Sequence, residues 1–60
     1  MNELMIEFNN GYLYYKTDKT NKDDAFKAFL MALEQAGINH DNFPEPIEME
    51  LRDKDGVPID

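Results

Sequence analysis

Leu4, Ile6 and Phe8 alternate with Glu3, Met5 and Glu7, and this period of two predicts a strand with one buried face. Asn9-Asn10-Gly11 interrupts the pattern. Tyr12-Leu13-Tyr14-Tyr15-Lys16-Thr17 then supplies residues that pack well on a pleated surface. A turn at Asn10-Gly11 would join the two runs as a hairpin, because both residues tolerate the positive φ of a type I′ turn. That loop pairs Phe8 with Leu13, Glu7 with Tyr14, Ile6 with Tyr15 and Met5 with Lys16. It collects Leu4, Ile6, Phe8, Leu13 and Tyr15 on one face, and Met5, Glu7, Tyr12, Tyr14 and Lys16 on the other.

The period changes after a polar break at residues 18–21. Phe26, Phe29, Leu30, Leu33 and Ala36 fall at helical spacing and form one apolar stripe. Thr20 or Asn21 caps the start, and Asp23 and Asp24 sit where the helix dipole favours carboxylates. Gly37 closes the end in a left-handed conformation, with Ile38 packing back over it. Met31 lies on the polar side of the wheel and, with Ala28, marks a shallow contact patch.

Residues 39–46 read as a loop, because Pro44 and Pro46 exclude helix. Ile47, Met49 and Leu51 then alternate with Glu48, Glu50 and Arg52, which predicts a third strand with an acidic outer face. Asp53-Lys54-Asp55-Gly56 is turn chemistry. Val57-Pro58-Ile59 reads as a short returning strand that Pro58 confines to an edge.

The predicted fold is therefore α+β, in the order β-β-α-β(-β), with an N-terminal hairpin and one amphipathic helix on one face of a small, mostly antiparallel sheet. The helix has to cover the apolar face of the hairpin. A right-handed crossover from the second strand puts the third beside the first, antiparallel to it, in sheet order 2-1-3. Packing the third strand beside the second is the alternative.

Length limits what else the chain holds. Sixty residues predict a single domain over residues 1–60. A domain of this size buries only about 60% of the surface its unfolded chain exposes, so it gains from extra support. Cysteine is absent, which removes disulfides, thiolate catalysis and the common zinc sites. His40 is the single histidine and leaves few other metal sites. A second chain is the most plausible support that remains, which favours a homodimer, and an ideally packed monomer is the alternative. Polar residues interrupt residues 1–8, which therefore lack a signal-peptide core. No stretch approaches the ~20 apolar residues that span a bilayer. No membrane partner is expected, and the cysteine-free composition fits a cytoplasmic location.

Charge then narrows the partner. The net charge is −7, and residues 41–60 carry seven acids against two bases. This sign repels phosphate backbones and anionic lipids, so direct nucleic-acid binding is not expected. Acidity of this kind keeps a small protein soluble, and it also suits a basic protein surface. The open sheet face, with Met5, Glu7, Tyr12, Tyr14, Lys16, Glu48, Glu50 and Arg52, is the candidate binding face, since exposed tyrosines are enriched at interfaces. Asp53 and Asp55 extend the acidic surface towards the C-terminal end.

Catalytic constellations are weak. His40-Asp41 are adjacent, a spacing that does not readily orient a base, and no partnered nucleophile is apparent. Asp53-Lys54-Asp55-Gly56 with Asp60 lacks the ligand series and flanking helices of a calcium loop. A domain this small is also expected to have little room for a pocket of about 300 Å³. The expectation is a non-enzymatic interaction module or inhibitor, without cofactor or metal, that binds a basic protein surface. Small acidic proteins of phages and mobile elements work in this way, some by imitating DNA, which would need Glu48, Glu50, Asp53 and Asp55 spaced like phosphates. A purely structural homodimer is the alternative. The outline of hairpin and helix is shared by unrelated proteins and by itself implies no function.

Overall fold

The computed structural model describes residues 1–39 and 44–59, which form β1 (Asn2–Phe8), β2 (Gly11–Thr17), α1 (Lys22–Gln35) and β3 (Glu48–Arg52). The strands make one antiparallel sheet in the order β2-β1-β3, the order expected from a right-handed crossover. Leu4, Ile6, Phe8 and Leu51 turn to the helix side and meet Ala25 and Phe29 in the core. The edge of the Tyr15 ring meets Phe29 at a centroid distance of 5.5 Å, which ties β2 to the helix.

The hairpin register differs from the expected one by two residues. Phe8 lies opposite Gly11, Ile6 opposite Leu13, Leu4 opposite Tyr15 and Glu3 opposite Lys16, so the turn is Asn9-Asn10. Neither asparagine has positive φ, which excludes a type I′ turn; Gly11, at φ +148°, takes the unusual conformation alone. A slip of two leaves every side chain on its expected face, so hydrophobic alternation cannot distinguish the two registers. Cross-strand partners can. The observed register pairs Glu3 with Lys16, an opposite-charge pair, where the expected one set Met5 against Lys16.

The helix begins as its residues dictate. The Asn21 side-chain oxygen accepts the Asp24 N–H at 2.8 Å, and the Asn21 amide donates to the Asp24 carboxylate at 2.9 Å. At the other end Gly37 N–H donates to the Glu34 carbonyl and Ile38 N–H to the Leu33 carbonyl, the paired bonds of a Schellman motif, with Gly37 at φ +80°. The apolar stripe is shifted from the predicted one. Ala25 is fully buried, Leu33 is only partly so, and Ala36 is exposed because it is already the C-cap.

The chain beyond β3 forms a bridge rather than a strand. Asp53 N–H donates to the Val57 carbonyl at 2.9 Å, and Ile59 N–H to the Leu51 carbonyl at 2.7 Å, with Pro58 opposite Arg52. These bonds flank the Arg52–Pro58 pair, so the missing N–H of proline is not needed there. Ile47, expected to face the core, is 60% exposed; it stands just outside β3, tied by its N–H to the Glu7 carbonyl.

Candidate functional site

Each strand contributes three side chains to the face turned away from the helix, and the register sets them in rows. Lys16, Glu3 and Arg52 form the first, Tyr14, Met5 and Glu50 the second, and Tyr12, Glu7 and Glu48 the third. All eight residues assigned from sequence to the open face therefore share it, and Glu3 is the ninth. Tyr12 and Tyr14 are each 62% exposed, so neither is drawn into the sheet.

The rows differ in charge. In the first, Glu3 stands between two cations. Arg52 also donates from Nη2 to Glu50 Oε2 at 3.1 Å. That hydrogen bond and the Glu50 charge hold the guanidinium above its usual value, with a smaller push from Tyr14. Arginine is charged throughout the working range in any case, so the effect orients side chains rather than creating a titration. A shallow depression of about 130 Å³ lies here, lined by Glu3, Met5, Tyr12, Tyr14 and Arg52.

The third row is different. Glu7 and Glu48 lie directly opposite on neighbouring strands, an arrangement that disfavours the sheet. Among the described residues no cation pairs with either carboxylate. The acidic character of the open face is thus concentrated at its turn end, beside Tyr12.

The C-terminal acids are not a free row. Asp53 Oδ1 accepts the N–H of Asp55 at 2.8 Å and of Val57 at 3.0 Å, and Gly56 closes the turn at φ +84°. The Asp53 carboxylate shapes the turn, and Glu50 is held by Arg52. Of the four acids that phosphate-like spacing would need, the Glu48 and Asp55 carboxylates have no partner among the described residues. His40-Asp41 and Asp60 lie outside the described residues.

The shallow patch expected at Met31 and Ala28 is part of a larger feature. An open groove of about 580 Å³ runs between β2 and α1, floored by Ala28, Met31 and Ala32 and flanked by Lys19 and Lys27. A second, of about 320 Å³, lies between Met1 and Lys54. Both exceed the volume expected for so small a domain, because they are troughs between elements and not enclosures within the core. The sequence signal for the first was Met31 with Ala28 on the polar side of the helix; what it lacked was the position of β2 beside them.

Among the described residues no helix is long and apolar enough to cross a membrane. Nor do three or more histidines, cysteines or acids gather there as a metal would require. No model of a known protein family, no curated protein and no solved structure matches the chain.

Proposed function

We propose that the protein is a small non-enzymatic interaction module that binds a basic protein surface through the turn end of its open sheet face. The observation that carries this reading is the opposition of Glu7 and Glu48, which no cation among the described residues pairs with, beside an exposed Tyr12. A lysine or arginine from a partner, set between the two carboxylates, relieves their repulsion and forms charge-assisted hydrogen bonds to both. Tyr12 adds amphipathic contact area next to that cation, and a stacking face for it if the partner supplies arginine. The remaining negative charge of the C-terminal third speeds the approach of such a partner more than it tightens the complex.

Imitation of DNA is less well supported, since Asp53 and Glu50 are engaged within the chain. The test is amide chemical-shift mapping with an arginine-rich peptide at low and high salt. The expected result is a salt-sensitive set of shifts centred on Glu7, Tyr12 and Glu48 that disappears in Glu48→Lys. Shifts spread evenly over every acidic residue, or none at low salt, would contradict the proposal.

A further inference from the structure

β2 is an outer strand of the sheet, and its free side runs along the groove to α1. In a hairpin closed by two residues the last pair, here Phe8 and Gly11, exchanges hydrogen bonds, and every second pair along the ladder repeats this. The backbone groups of Tyr12, Tyr14 and Lys16 therefore point away from β1. Among the described residues nothing pairs with them, and a row of donors and acceptors of this length is a template for another strand. Beside it the helix carries Ala28, Met31 and Ala32, apolar residues outside the core cluster, with Met31 58% exposed.

We infer that this edge pairs with the same edge of a second copy of the chain, antiparallel about a two-fold axis at Tyr14, so that two sheets become one continuous sheet. Tyr14 is the middle residue of β2, and the strand is complementary to itself about that point. Tyr12 falls opposite the partner's Lys16, a cation facing an aromatic ring, and Tyr14 lies beside the partner's Tyr14. Leu13 falls opposite the partner's Tyr15 on the helix side, where the two grooves merge over the seam and Met31 of each copy is covered. Every outward backbone group of Tyr12, Tyr14 and Lys16 gains a partner.

Charge selects this occupant. Two copies of a chain with net charge −7 repel one another over most of their surface. Lys16 is the one charged residue of β2, and beside the groove Lys19 and Lys27 face Asp24 and Asp18, the latter 3.9 Å from Lys19. With Lys16, Lys19 and Lys27 against Asp18 and Asp24 this edge is close to neutral, so a second copy meets less repulsion here than at the acidic end of the open face, to which a basic partner is drawn instead. The pairing does not depend on Glu7 or Glu48.

Sedimentation equilibrium of the full chain over a wide concentration range tests the pairing. The wild-type chain is expected to approach twice its 7.0 kDa mass at high concentration and to dissociate on dilution. Met31→Asp, at an exposed position, is expected to raise the dissociation constant at least about tenfold. Tyr14→Pro removes an outward N–H that β1 does not use and is expected to give a folded monomer. Val57→Asp adds the same charge beyond β3 and is expected to leave the equilibrium within about twofold of wild type. If Tyr14→Pro fails to fold, Met31→Asp against Val57→Asp still decides. A wild-type monomer at every concentration would overturn the pairing and leave the edge to a strand of another protein. A dimer that survives Met31→Asp, or one weakened equally by Val57→Asp, would overturn it too.

Discussion

The two outer strands end the hydrogen-bond ladder in different ways. Beyond β3 the chain turns back on itself: Asp53 and Ile59 bond across the Arg52–Pro58 pair, and proline stands where the next strand would have to begin. The Arg52 end of this edge is blocked by the chain's own residues, and acids surround it, two standard protections against unwanted pairing. Beyond β2 nothing returns among the described residues. The edge is seven residues long, carries Lys16 as its one charge, and borders a groove with an apolar floor. In a sheet of three strands the edges are a large share of the molecule, and here they have opposite character. One is closed at its end and acidic, the other open and close to neutral.

Substitution can break this comparison at several strengths. The largest effects belong to the core that both edges share. Phe29→Ala, beneath Tyr15 on the β2 side, is expected to cost about 3–5 kcal/mol, and Leu51→Ala, beneath the β3 edge, about 2–5 kcal/mol. Both are enough to unfold much of so small a domain, as urea titration will register. A fully stable Leu51→Ala protein would mean that β3 is not held against the helix.

Gly11→Val comes next. No atom lies within 4 Å of the added Cβ, so its cost is conformational, about 1–3 kcal/mol from the positive φ. It acts on the β2 side alone, at the strand's first residue, and is read by thermal unfolding. The smallest effect is expected at the acidic end of the open face. Glu48→Gln removes one of two opposed carboxylates and should stabilise the monomer by about 0.2–1 kcal/mol in low salt, a gain that fades as salt screens the pair.

Much of this was legible in the sequence, for identifiable reasons. Alternation and helical spacing report which side chains are apolar and at what period, and that suffices for three strands, one helix and the membership of the open face; the observed sheet order needed the right-handed crossover rule as well, and periodicity alone left its alternative open. The helix ends were legible because Asn21 and Gly37 act locally. The hairpin register was not, since Asn9-Asn10 and Asn10-Gly11 turns give the same faces, and the choice rests on cross-strand partners such as Glu3 and Lys16. Ala25 was missed because a small side chain weighs little in a hydrophobic stripe, yet small size is what lets the helix approach the sheet. The uneven charge of the open face depends on register too. Glu7 opposite Glu48, and Arg52 bound to Glu50, are facts of pairing that composition cannot supply. Asp53 looked like free acidic surface for the same reason; its carboxylate is committed to two backbone N–H groups that only the folded turn brings to it.

The measurement that tests the asymmetry of the edges most directly is residue-resolved amide hydrogen exchange of the wild-type chain at low and high concentration. The N–H groups of Leu13 and Tyr15, bonded to β1, should be protected at both. Those of Tyr12, Tyr14 and Lys16 should exchange freely in dilute solution and become protected as concentration rises, while Ile59, bonded to Leu51, stays unchanged. Protection of Tyr12, Tyr14 and Lys16 that is absent at every concentration, or equally present at all of them, would contradict an open β2 edge that closes on a second copy.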